Sequence, residues 1–182
     1  MGRSSSTYER ELKGLLQGET EGLERYGRTL PPPEREELRA FARSPFLVVR
    51  AAGSFGFDLV ALRSEFAFPL EVKASASDTI RFSAASGRAA AQLEEHRKAV
   101  DRVGLLVVYA YRRVGFRKGD AWRLYATGNP TGRGLASLIR KSLPAVENTR
   151  EGNGILRWET GMPLSRFLQR VSYWTDDSGR RG

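Results

Sequence analysis

Cysteine is absent from the 182 residues, and histidine occurs once, as His96. Without cysteine there is neither a disulfide framework nor a thiolate metal site, and a reducing interior is the compartment that fits. Cysteine–histidine zinc chemistry is excluded with it. A lone histidine also argues against a histidine-based triad. His96 falls on the apolar face of an expected helix, where a core or interface role is the reading. Long apolar runs are missing as well. No segment approaches the roughly 18 apolar residues of a membrane span, and the opening MGRSSSTYEREL is charged where a secretory leader has its apolar core. The expected location is cytoplasmic, with no membrane partner.

Acidic residues are scarce in one part of the chain. Lys and Arg number 30 against 21 Asp and Glu, for a net charge of +9. Residues 1–103 hold 16 basic and 15 acidic side chains, whereas 104–182 hold 14 and 6. The C-terminal portion therefore carries the electrostatic footprint, which favours a polyanion over a small acidic ligand.

Hydrophobic periodicity divides the chain. Tyr8, Leu12, Leu15 and Leu16 recur at helical spacing and predict a short amphipathic helix. Pro31-Pro32-Pro33 break any continuous helix from 8 to 44, and Leu38 and Phe41 predict a second helix within an inserted polar segment, 17–45. The runs FLVVRAA at 46–52, FDLVAL at 57–62 and FPLEVKA at 68–74 predict a three-stranded meander. Ala89, Leu93, His96, Val100 and Val103 then step by four and three along one helical face. LLVVYAY at 105–111 predicts a central strand covered on both sides, and AWRLYA a further strand after the turn VGFRKGD.

Helix, three strands, helix, two strands make residues 1–128 a mixed α/β domain with a five-stranded sheet flanked by helices. Residues 129–182 read as a basic α+β extension packed on or next to this core. It comprises a helix at 135–143, a strand GILRWE at 154–159 and a helix PLSRFLQRV at 163–171. Thr160 is expected to cap the last helix, with Pro163 in its first turn. Trp122, Trp158 and Trp174 read as packing residues.

The segment LEVK, residues 70–73, carries the chemistry. On a strand, Leu70 and Val72 point to one face while Glu71 and Lys73 share the other. If 57–62 pairs antiparallel with this strand, Asp58 lies close to Glu71. Two carboxylates can hold Mg²⁺, which retains most of its waters, and a compact ammonium suits an attacking water or a phosphoryl transition state. Gly53, Ser54 and Gly56 just before the aspartate make a loop able to approach a phosphate. Arg112, Arg113, Arg117 and Lys118 flank the 114–119 turn as a clamp for backbone phosphates. Near the N-terminus, Glu9 and Glu11 both flank the apolar stripe, and helical geometry does not choose between them.

Taken in order, YERELKGLL at 8–16, VVRAAGSFGFDLVAL at 48–62 and PLEVKAS at 69–75 resemble the successive signatures of the archaeal Holliday junction resolvases. The three segments cover roughly 40 residues and are far more specific together than singly. The resemblance implies a restriction-endonuclease-like PD-(D/E)xK core and a structure-selective endonuclease that resolves four-way DNA junctions. It selects Glu9 as the helix glutamate near the metal, makes Asp58 and Glu71 metal ligands, and makes Lys73 the catalytic lysine. It further implies Arg10, Arg50 and Ser54 as DNA contacts, Mg²⁺ with Mn²⁺ as a substitute, and a homodimer acting on branched DNA. A recombination or repair protein is a further expected partner. Phe57 stands where that family's pattern has proline, and neither the 17–45 segment nor the tail beyond 130 has a counterpart. These departures leave open other PD-(D/E)xK substrates, such as flaps, single strands or a restriction-like site, and a non-catalytic DNA-binding module.

Overall fold

The computed structural model describes residues 5–51, 56–63, 66–83, 87–128 and 135–178. Helix α1 (Ser5–Leu16) buries Tyr8, Leu12, Leu15 and Leu16 along the expected stripe. The polar 17–45 segment folds into two helices, α2 (Thr20–Gly27) and α3 (Pro32–Phe41). Prolines at the cap and first turn of α3 start that helix where missing amides cost nothing.

Strands β1 (Leu47–Arg50), β2 (Leu59–Arg63) and β3 (Phe66–Ser75) form the expected antiparallel meander, with Arg50 opposite Leu59 and Leu59 opposite Leu70. Strand β4 (Thr79–Phe82) follows, and then α4 (Arg88–Val103) returns the chain to β5 (Val107–Arg113). β5 lies parallel to β3 with Glu71 beside Tyr109, and β6 (Trp122–Thr127) pairs antiparallel with β5. Residues 106–111 are fully covered, as a central strand requires.

The C-terminal residues add α5 (Leu135–Ser142), β7 (Glu147–Asn148), β8 (Gly154–Arg157), β9 (Met162–Pro163) and α6 (Leu164–Ser178). Their pairing corrects the expected strand count. β9 joins the edge of the main sheet through Arg123 and Leu124, so that sheet has six strands rather than five, in the order β1-β2-β3-β5-β6-β9. A second, three-stranded sheet of order β4-β8-β7 had no expected counterpart. The start of α6 also differs from expectation. Pro163 is held in β9, the Thr160 hydroxyl is engaged by Glu147 and the Arg157 carbonyl, and the Ser165 amide is capped by Asp120 from another turn. Val103, expected on the buried face of α4, is exposed.

Strand alternation produces two apolar layers. One face of the sheet, with Leu59, Leu70, Val72, Val108 and Leu124, packs on α1, α3 and α6. The other carries Tyr109, Tyr111 and Tyr125 and packs with Leu93, Val100, Leu156 and Trp158. Glu71 and Lys73 emerge beside this second layer. Trp122 and Trp158 are buried, as expected for packing residues, while the side chain of Trp174 lies outside the described residues.

Candidate active site

Asp58 stands one residue ahead of β2, yet its backbone remains in the ladder. Its amide donates to the Leu70 carbonyl at 3.1 Å and its carbonyl accepts from Ala51 at 3.1 Å. Continuing the β2–β3 register places it across from Glu71. The Asp58 Oδ2 accepts the Val72 amide at 2.7 Å, so the strand bearing Glu71 and Lys73 holds the aspartate directly.

Glu71 is 3% exposed. Lys73 Nζ donates to its Oε1 at 2.6 Å, while Oε2 is buried with no hydrogen-bond partner among the described residues. Burial dominates the electrostatics: it pushes the Glu71 carboxyl up to about 7, aided by the Asp58 charge and opposed by Lys73. Asp58 is also raised, first by burial and further by Glu9, against the Val72 amide, Lys73 and Arg50. Asp58 thus feels the charge of Glu9, and Glu71 that of Asp58.

Helix α1 separates the two glutamates that helical geometry left equivalent. Glu9 is buried and ion-paired with Arg50 at 2.6 Å. Glu11 accepts from Arg112 Nε and Trp122 Nε1, each at 3.0 Å, and is committed to packing the helix on the sheet.

Two α4 side chains complete the surroundings: Gln92, which the sequence did not single out, and His96, expected there as a core or interface residue. Gln92 Oε1 accepts from Lys73 Nζ at 3.2 Å, and its Nε2 donates to the Gly56 carbonyl at 2.8 Å. His96 reaches the same carbonyl through Nε2 at 2.7 Å and Tyr109 through Nδ1 at 2.8 Å. A carbonyl only accepts, so Nε2 carries the proton and Nδ1 accepts the tyrosine O–H. Burial lowers the His96 pKa, in keeping with this neutral tautomer. Gly56 has φ +71°, a conformation that glycine adopts without strain, and it aims its carbonyl at α4. The spacing of Gln92 and His96, one helical turn apart, was the available signal for this pair.

The expected DNA contacts are dispersed. Arg10 is exposed on α1, and Ser54 lies outside the described residues. Arg50 is half exposed beside Glu9. Arg112 is held by Glu11 against Tyr8 and Trp122, and Arg113 pairs with Asp78 beside Phe116 and Trp158. Arg117 and Lys118 are exposed on the turn.

Among the described residues, no group of three His, Asp or Glu side chains forms a ready-made metal cage. The donor set nevertheless fits a hard cation held by two carboxylates. Mg²⁺ is commonly held by one or two carboxylates plus water and substrate oxygens, and the buried Glu71 Oε2 is an acceptor without a donor among the described residues. Among the described residues no helix is long and apolar enough to cross a membrane.

No family model matches the chain, and no curated protein matches it. Among solved structures it is similar to Hjc, a Holliday junction resolvase from the archaeal hyperthermophile Archaeoglobus fulgidus. The two are 18% identical with a TM-score of 0.44, over 79% of this chain and 95% of that one.

Proposed function

We propose that the chain is a divalent-metal-dependent DNA endonuclease with a PD-(D/E)xK centre, acting on four-way junctions. One observation carries the reading: Asp58 and Glu71 oppose each other across neighbouring strands, with Lys73 2.6 Å from Glu71 and the second glutamate oxygen buried. Asp58 and Glu71 would hold Mg²⁺, or Mn²⁺ in its place, with Glu9 adding negative charge from α1. The bound cation supplies water activation and neutralises charge gathering on the phosphodiester. Lys73 orients the attacking water and donates to the phosphoryl oxygens as the P–O bond breaks. Arg50 balances Glu9 and presents its exposed guanidinium to the DNA backbone.

The junction substrate rests on the ordered resemblance of three segments and on the net charge of +9. Paired incisions across a junction call for two centres, hence a homodimer. Backbone charge and branch geometry rather than base sequence would then select the substrate.

The test compares a four-way junction, a flap and a linear duplex with Mg²⁺ or Mn²⁺, using wild type and Asp58→Asn. Junction cleavage lost in Asp58→Asn, with binding retained, is the expected result. Faster cutting of flaps would move the substrate, and junction binding without any cleavage would make the chain a DNA-binding module. Cleavage by Asp58→Asn at the wild-type rate would remove the proposed centre.

A further inference from the structure

A second concentration of positive charge lies at the β9 edge of the main sheet. An open cleft of about 580 Å³ runs between the end of α5, the turn around Gly161 and the first turns of α6. Arg123, Lys141, Arg166 and Arg170 line it, and Glu159 is the one acidic residue among the described residues that do.

The local sequence builds this cleft. Arg166 and Arg170 stand four residues apart and share one face of α6, while Leu164, Phe167, Leu168 and Val171 are buried on the other. Gly161 lets the turn close on the strand, because a Cβ there would come within 2.5 Å of Arg123 Cβ. Arg123 is fixed as the floor. It donates to the Asp120 and Trp122 carbonyls at 2.9 Å each, its charge is met by Asp120 at 3.9 Å, and it lies 4.3 Å from the Trp158 ring.

The other three cations form no such ion pair among the described residues, though Arg166 also lines an adjoining hollow with Glu34 and Glu37. Among the described residues Arg166 and Lys141 enter no ion pair, and Arg170 reaches only the Ser142 carbonyl, at 3.5 Å. Like charges gathered in a concavity repel one another and focus a positive field, a cost that a polyanion removes. The cleft is open along its length, which suits a chain of phosphates better than one enclosed anion.

We propose that this cleft is a second DNA-backbone site, gripping a duplex arm away from the scissile phosphate; the inference rests on the nuclease reading above. Register supplies the spacing. Lys73 pairs with Tyr111 and Tyr111 with Arg123, so two strand spacings, about 10 Å, separate the lysine from the cleft floor. That distance is about three base-pair rises. Because α6 packs on the other face of the sheet from Lys73, the cleft would hold an arm that passes the β9 edge.

The experiment measures the affinity of a labelled four-way junction across a salt series, with Ca²⁺ replacing Mg²⁺ so that binding is read without turnover. Arg166→Ala/Arg170→Ala is compared with wild type and with Arg25→Ala/Arg28→Ala at the C-terminal end of α2, and thermal melts show that each variant is folded. Loss of two phosphate contacts should reduce the slope of log affinity against log salt by about 1.8, and weaken binding at least roughly tenfold near 0.15 M salt. The α2 variant should match wild type. Single-turnover cleavage by the cleft variant at saturating enzyme should also match, because no catalytic group is touched. An unchanged slope in the folded cleft variant, or an equal reduction in the α2 variant, overturns the proposal. If wild type binds the junction but does not cut it, the nuclease reading fails alone and the slope still decides the cleft. If wild type binds no DNA, both fail.

Discussion

The Asp58 carboxylate accepts the Val72 amide at 2.7 Å, between the two residues of β3 that complete the proposed centre. The aspartate therefore has a structural bond as well as a proposed ligand role, and two substitutions separate them. Asp58→Ala leaves the amide without its acceptor, a cost of about 1–2 kcal/mol. Asp58→Asn keeps an acceptor and the shape. Because burial raises the Asp58 pKa, the neutral amide should be at least as stable as wild type at neutral pH. Urea denaturation should place the alanine variant about 1–2 kcal/mol below the asparagine variant, with both inactive. Equal stabilities would mean that the Val72 bond contributes nothing.

Glu71 predicts a pH dependence with a definite sign. Its carboxyl is pushed by burial up to about 7 from an ordinary 4.5. A raised folded-state pKa means that the protonated form favours folding, so this contribution is complete below about 4.5 and is lost as pH rises through about 7. In EDTA, the stability difference between wild type and Glu71→Gln should shift against wild type between these values, by about 3 kcal/mol. Subtracting the glutamine variant removes the response of other carboxylates. Mn²⁺ at pH near 8 should restore wild type and leave Glu71→Gln unmoved, since a cation binds the ionised form. A difference that stays flat across this range contradicts the burial of Glu71.

The meander, α4 and the closeness of Asp58 to Glu71 could be read from sequence because each depends on local alternation or periodicity. Apolar runs broken by turn residues fix three neighbouring strands, and the period-two rule then puts Glu71 and Lys73 on one face. β4 had no such signal. Thr79–Phe82 is four residues long, and its partner Gly154–Arg157 lies far along the chain, so only tertiary pairing makes it a strand. α2 is similar: eight residues containing two glycines are poor isolated helix formers, and burial of Leu23 and Tyr26 holds them. The Thr160 cap failed because a residue from a distant turn, Asp120, took the role. Gln92 went unnoticed because its function lies in bridging Lys73 to Gly56, a relation between three elements.

Asp120 itself supports the last prediction. It is 7% exposed, and three buried donors from separate parts of the chain converge on it. The Tyr26 hydroxyl of α2 and the Trp122 amide, at 2.8 Å, reach Oδ1, and the Ser165 amide that opens α6 reaches Oδ2 at 2.7 Å. Burial and this carboxylate together hold the Tyr26 hydroxyl well above its ordinary pKa, so it remains a donor. Asp120→Ala would leave all three donors buried without acceptors. Each costs about 1–3 kcal/mol, and a summed loss of at least about 3 kcal/mol is a large share of the 5–15 kcal/mol typical of a domain. Tyr26→Phe removes one donor and leaves the other two satisfied, so it should cost about 1 kcal/mol. Because neither residue touches the Asp58–Glu71–Lys73 group, Tyr26→Phe should cut junctions at the wild-type rate while unfolding earlier in urea. An Asp120→Ala protein within about 1 kcal/mol of wild type would show that the inserted helices and α6 are held by apolar packing alone.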